Sequence, residues 1–207
     1  VALIGASHAP PSDGWQRCVS AQREIDCEIR SGGVQDPGLE PPTEKLRTRY
    51  LEPSITVQSS DPIVRRLATS IVGSATSPEE LIALILRWLD DNIKKSPVDV
   101  FSALDVLQQR EAECQGHAYL YTALARASGT PTRMVNGLAY SKDCEGFLYH
   151  SWTESLVGTR WQAVDPTFGQ AQADATHIKL IEGETLAELL PLTEWVGKLK
   201  IRVLEVE

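Results

Sequence analysis

Four cysteines in 207 residues are too few for a fold held together by disulfides. They also lack metal-ligand spacing: there is no CxxC, no HExxH and no paired Cys/His cluster. No metal and no cofactor is therefore expected. No apolar run approaches the roughly 18 residues that span a membrane. The longest candidate, Leu81–Leu89, is interrupted by Arg87 and suits a core helix. The chain begins at Val1 with neither a charged n-region nor an apolar h-region, so no targeting segment is expected. On this reading the chain is a processed product or a piece of a longer protein. Its compartment stays open: cytoplasm, or cell envelope and periplasm if a signal peptide has been removed. Positive charge is not in excess either. The net charge of −8 and pI of about 5.1 argue against nucleic acid or an anionic membrane as the main partner.

What remains is an ordinary globular composition, 42% hydrophobic and 23% charged, in a chain long enough for one domain with a sizeable core. Val1–Gly14 reads as a loose lead-in. Trp15–Arg30 reads as two short strands around Ala21–Glu24, with Cys18 facing Cys27. That pair is either a cross-strand disulfide in an oxidising compartment or two small apolar strand residues. Ser31–Lys45 is rich in Gly and Pro and reads as a linker. A boundary is placed there: residues 1–45 form an N-terminal extension, the remnant of an upstream domain, and residues 46–207 form the core.

The core opens with helices. Asp61-Pro62 caps one over Ile63–Val72, Ser77-Pro78-Glu79-Glu80 opens a second over Pro78–Ile93, and Ser102–Arg110 is a third. A fourth begins at Cys114 in REAECQGHAYLYTALARAS and ends at Ser128-Gly129. The periodicity then changes to two. Strands are expected over Thr132–Tyr140, Phe147–Val157, Arg160–Val164, His177–Ile181 and Leu199–Val206, with a short helix at Thr185–Leu190. Helices followed by meandering strands indicate an α+β domain.

Cys114 at a helix start lies among unpaired N–H groups and the positive end of the helix dipole, which favour a thiolate. The hairpin after it supplies partners. With Gly158-Thr159 as a two-residue turn, Val157 pairs with Arg160, and Trp152 falls opposite Asp165. His150 then shares Trp152's face, diagonal to Asp165 and within side-chain reach. This gives a Cys114–His150–Asp165 set: nucleophile, base and orienter. A His-paired cysteine in that position can have a pKa of roughly 3–4. Gln115, His117 and Trp152 are candidates to line the cleft. His117, one helical turn after Cys114, is the rival base. His177 is given no role, and Cys144, in a polar loop, is an exposed spectator.

The runs AECQGHAYLYTALARASGTPTRMVNGLAY and YHSWTESLVGTRWQAVDPTFGQ resemble the transglutaminase-like core of papain-like cysteine enzymes, its bacterial branch above all. The likeness rests on a Cys opening a helix, a His followed by Trp and an acidic residue, and an Asp-Pro after the next strand. It implies a helical lobe packed against an antiparallel sheet with the cleft between them, and the same three residues as a catalytic triad. It implies a cysteine protease or amidase acting on peptides or proteins through a thioester. The alternatives are glutamine–amine acyl transfer, or a non-catalytic binding or scaffold domain of a larger protein. Two family features are missing. The nearest upstream tryptophan, Trp88, sits on an apolar helix face, where it would not bind an oxyanion, and the paired CxxC zinc motifs of the deglycosylating branch are absent.

Overall fold

The computed structural model describes residues 1–21, 24–32 and 41–206. The expected hairpin turn at 22–23 and residues 33–40 of the expected linker lie outside the described residues.

Strands β1 (Ala2–Ile4), β2 (Gln16–Ala21) and β3 (Glu24–Ile29) come first. The helices that follow are α1 (Glu44–Arg49), α2 (Pro62–Val72) and α3 (Pro78–Asn92). A two-residue strand β4 (Lys94–Lys95), helix α4 (Ala103–Gln109) and a second two-residue strand β5 (Glu111–Ala112) lead into helix α5 (Cys114–Ala127). Strands β6 (Thr132–Ser141), β7 (Gly146–Val157), β8 (Arg160–Val164) and β9 (His177–Glu182) complete the main sheet. A short helix α6 (Leu186–Leu189), one 3-10 turn (Leu190–Glu194) and strand β10 (Lys200–Arg202) close the chain. The α+β reading holds: apart from the two-residue parallel pair β4–β5, the strands pair antiparallel in sheets separate from the run of helices α1–α5.

The helix boundaries follow their capping residues. Asp61 accepts from the Ile63 N–H with Pro62 at the first helical position. Ser77 accepts from the Glu80 N–H. The expected reciprocal bond of a capping box is replaced there, because the Glu80 carboxylate turns to the N–H and hydroxyl of Thr76.

Helix α5 is the centre of the helical core, with every residue from Gly116 to Arg126 buried. Leu81, Ile82, Ile85 and Leu89 of α3 and Ala103 and Val106 of α4 belong to the same cluster. A Cβ at Gly116 would collide with Val100 and Ala112, so only glycine lets the start of α5 approach its neighbours this closely. Trp88 is partly buried against this cluster, with Arg110 over its ring, which is a packing role. No helix among the described residues is long and apolar enough to cross a membrane.

The main sheet has the order β8-β7-β6-β9, all antiparallel. A second sheet, β10-β1-β3-β2, joins the start of the chain to its end. Its hairpin places Cys18 opposite Cys27, and the two are disulfide-bonded.

The boundary expected at residue 45 is crossed by these contacts. The lead-in supplies β1, whose partners are β3 and β10. Trp15 donates its indole N–H to the His177 carbonyl, and Gln16 Nε2 donates to the Lys179 carbonyl. Beside them lies a buried charge cluster. Lys179 Nζ is 3.0 Å from Glu154 and 2.7 Å from Glu182, and it also pairs with Asp13. Arg133 pairs with Glu154 at 2.6 Å and Glu182 at 2.9 Å, and stacks over Trp161. Burial opposes the charge on Lys179, but the carboxylates outweigh it and hold the ammonium above its ordinary pKa.

Candidate active site

The β7–β8 turn sets the geometry. Gly158 takes a φ of 61°, and the register runs from Val157↔Arg160 to Thr153↔Val164. Continuing that register puts Trp152 level with Asp165 and His150 diagonal to it. The side chains meet: His150 Nε2 lies 2.7 Å from Asp165 Oδ2. Asp165 is fully buried and His150 nearly so.

Asp165 begins a short loop closed by its own backbone bonds to Gln170. Its Oδ1 accepts from the Thr167 and Phe168 N–H groups. Its Oδ2 accepts from His150 and, at 2.9 Å, from His177 Nε2. Burial alone would raise this carboxyl. The bonds from His150, His177 and Phe168 overcome that and hold it well below the usual carboxylate range. The group is therefore an anion with both oxygens saturated. Because an ionised carboxylate only accepts, the His150 proton sits on Nε2, leaving the Nδ1 lone pair for another partner.

The His150 ring is packed on both faces. Phe168 stacks on it at 4.7 Å between centroids, and Trp152 lies nearly parallel at 6.2 Å. Trp152 is a buried wall, whereas Phe168 is half exposed.

Residues 65–166 match the family model of the transglutaminase-like superfamily. The kyphoscoliosis peptidase of Mus musculus is 27% identical over 143 residues, which cover 60% of this chain and 20% of that protein. Its Homo sapiens counterpart is 25% identical over 131 residues, covering 55% and 19%. The chain thus spans about a fifth of the length of the curated relatives it matches. Among solved structures, a provisionally assigned cysteine protease from Cytophaga hutchinsonii superposes with a TM-score of 0.63 at 18% identity, over 96% of this chain and 79% of that one. The periplasmic domain of TgpA from Pseudomonas aeruginosa gives 0.52 at 19% identity, over 77% and 67%. These likenesses establish the fold, a helical lobe against an antiparallel sheet.

Cys114 opens α5, as expected, and its sulfur faces β7, where the Ser151 N–H favours the thiolate. Its charge state departs from the expectation. The cap of α5 is Glu113, whose carboxylate accepts from the Gln115 and Gly116 N–H groups. The same carboxylate accepts the Cys114 thiol at 3.3 Å. The positive end of the helix is thus already met by an anion. Burial, reinforced by Glu113, pushes the Cys114 thiol up to about 12. The resting group is a thiol turned toward Glu113, and His150 is not among its hydrogen-bond partners. Glu113→Gln keeps a cap acceptor but removes the charge. It is expected to speed iodoacetamide labelling of Cys114 at pH 8 by up to about tenfold. An unchanged rate would show that Glu113 does not hold the thiol proton.

His117, the rival base, leans back as a helical side chain should. Its Nδ1 lies 2.9 Å from the Glu113 carbonyl. A carbonyl only accepts, so the proton is on Nδ1, and burial lowers the pKa of the ring. It is a neutral group tied to its own helix. Gln115 is partly buried and donates to the Tyr119 hydroxyl. Sequence reasoning passed over His177, Phe168 and Glu113. The acidic residue directly before Cys114 was a signal for the third, and the histidine three residues after Asp174 was one for the first.

Among the described residues, two groups of donor atoms could in principle gather a metal ion: His150, Asp165 and His177, and Asp13, Glu154 and Glu182. In the first, both histidine nitrogens donate to Asp165. In the second, the Lys179 ammonium already occupies the centre.

Proposed function

We propose that this domain is a cysteine enzyme that cleaves peptide or protein amides through a Cys114 thioester, as a protease or amidase. It would act as one part of a longer chain. The observation that carries this reading is the buried bond from His150 Nε2 to Asp165 Oδ2, on the strand whose next residue, Ser151, has the N–H that favours the Cys114 thiolate.

In this scheme the thiol rotates from Glu113 toward His150 and gives its proton to Nδ1. The thiolate attacks the amide carbonyl, and the imidazolium returns the proton to the leaving amine as the C–N bond breaks. Asp165 stabilises the transient imidazolium without taking its proton. Water, activated by the same imidazole, then hydrolyses the thioester. Resolution by an amine instead of water would give transamidation with the same residues. The half-exposed Phe168 is a candidate wall for the substrate.

Cys114→Ala is expected to abolish turnover across a panel of peptide amides while leaving the circular dichroism spectrum unchanged. Full activity in that variant would overturn the assignment. The high thiol pKa favours a second reading, a domain that keeps the fold to bind protein partners. It would be preferred if the native protein cleaves no amide and transfers none to amines.

A further inference from the structure

His177 enters β9 as a fully buried residue, and both of its ring nitrogens face acceptors. Nε2 lies 2.9 Å from Asp165 Oδ2, on the same oxygen that His150 uses. Nδ1 lies 3.1 Å from the Asp174 carbonyl and 3.2 Å from its carboxylate. A backbone carbonyl accepts only, and so does an ionised carboxylate. A neutral imidazole has one N–H and cannot satisfy both sides, whereas an imidazolium can. The charged and titratable groups facing this ring are Asp165, Asp174 and His150. Trp152 and Phe168 pack against it in T-shaped contacts.

We propose that His177 is a positioning residue that acts through Asp165: held as an imidazolium, it offsets the carboxylate and so limits how strongly His150 holds a proton. The inference rests on the function proposed above. Its chemistry is simple to state. Asp165 carries one negative charge and serves two histidines. With His177 already cationic, a second imidazolium at His150 meets a neutralised partner and a like charge, with ring centroids 5.7 Å apart. The resting state in which the Cys114 proton stays on sulfur is favoured accordingly, and the proton that His150 accepts during turnover is readily returned to the leaving group. Burial would lower the pKa of His177, but the bond to Asp165 and the charges of Asp165 and Asp174 outweigh it and raise the group above its ordinary value.

The test is histidine titration by long-range 1H–15N correlation spectra of the 15N-labelled chain, which has four histidines to assign. In the wild type, His177 should carry protons on both ring nitrogens at pH 7. A single-tautomer neutral ring at that pH overturns the proposal. In His177→Gln, which keeps a donor but no charge, the pKa of His150 should rise by about one unit. A value unmoved or lowered overturns the proposal. If the variant does not fold, the wild-type spectrum decides alone. Iodoacetamide labelling of Cys114 separates this inference from the catalytic reading. If His150 shifts upward while labelling is unaffected, the charge sharing stands and the Cys114–His150 pair fails.

Discussion

Asp165→Asn is expected to lower amide turnover by about 10³–10⁴-fold, the order seen where a triad carboxylate is neutralised. The reason is the tautomer rather than the loss of a contact. One face of an asparagine amide must meet the Thr167 and Phe168 N–H groups, and that can only be its oxygen. The NH2 group then points at His150 Nε2 and turns that atom into an acceptor. The ring proton moves to Nδ1, the atom proposed to receive the thiol proton, which then has no lone pair to take it. The same NH2 group faces His177 Nε2, which loses its acceptor. The measurement is kcat on the best amide substrate, with circular dichroism as the control for folding. A loss below tenfold would remove Asp165 from the orienting role.

Lys179→Met is expected to destabilise the fold by about 3–5 kcal/mol, the range for breaking a buried ion pair from one side. Methionine fills the space but leaves Asp13, Glu154 and Glu182 facing Arg133 alone. Asp13 and Glu182 are held below their ordinary pKa against the penalty of burial, and Lys179 is the leading cause in both. Urea unfolding should show a lower midpoint with an unchanged slope. Adding Glu154→Gln to Lys179→Met should recover part of the loss, because one fewer charge is stranded. A double variant no more stable than the single one would show that packing, not charge, holds this cluster.

The hairpin that carries His150 was legible because its information is local. A glycine at a two-residue turn and a period of two fix which side chains share a face. The start of α5 was legible for the same reason, but its cap was not. Glutamate is uncommon as a cap residue, so Glu113 read as lead-in rather than as the partner of the thiol. Strand β1 is three residues long, and one of its partners, β10, lies nearly the whole chain away, so no local pattern marks it. Helix α1 is capped by Thr43 directly after two prolines, which made its first residues read as linker. His177 illustrates the general limit. Its own strand was foreseen, but its place beside Asp165 depends on β9 pairing with β6, and periodicity within one strand says nothing about which strand it will join.

That pairing has a mechanical side. Strand β6 lies between the strands of the two histidines, and its Gly137 stands opposite His150 on one flank and Lys179 on the other, beside a break in register at Asn136. A Cβ at Gly137 would strike the Ile178 carbonyl and crowd the Trp152 ring. At this point β6 is bare main chain, which lets it lie against the Ile178 carbonyl of β9 and beside the Trp152 ring. The wall behind His150 is thus shaped in part by a residue with no chemistry of its own, whose contribution is to let β6 and β9 approach where a methyl group would hold them apart.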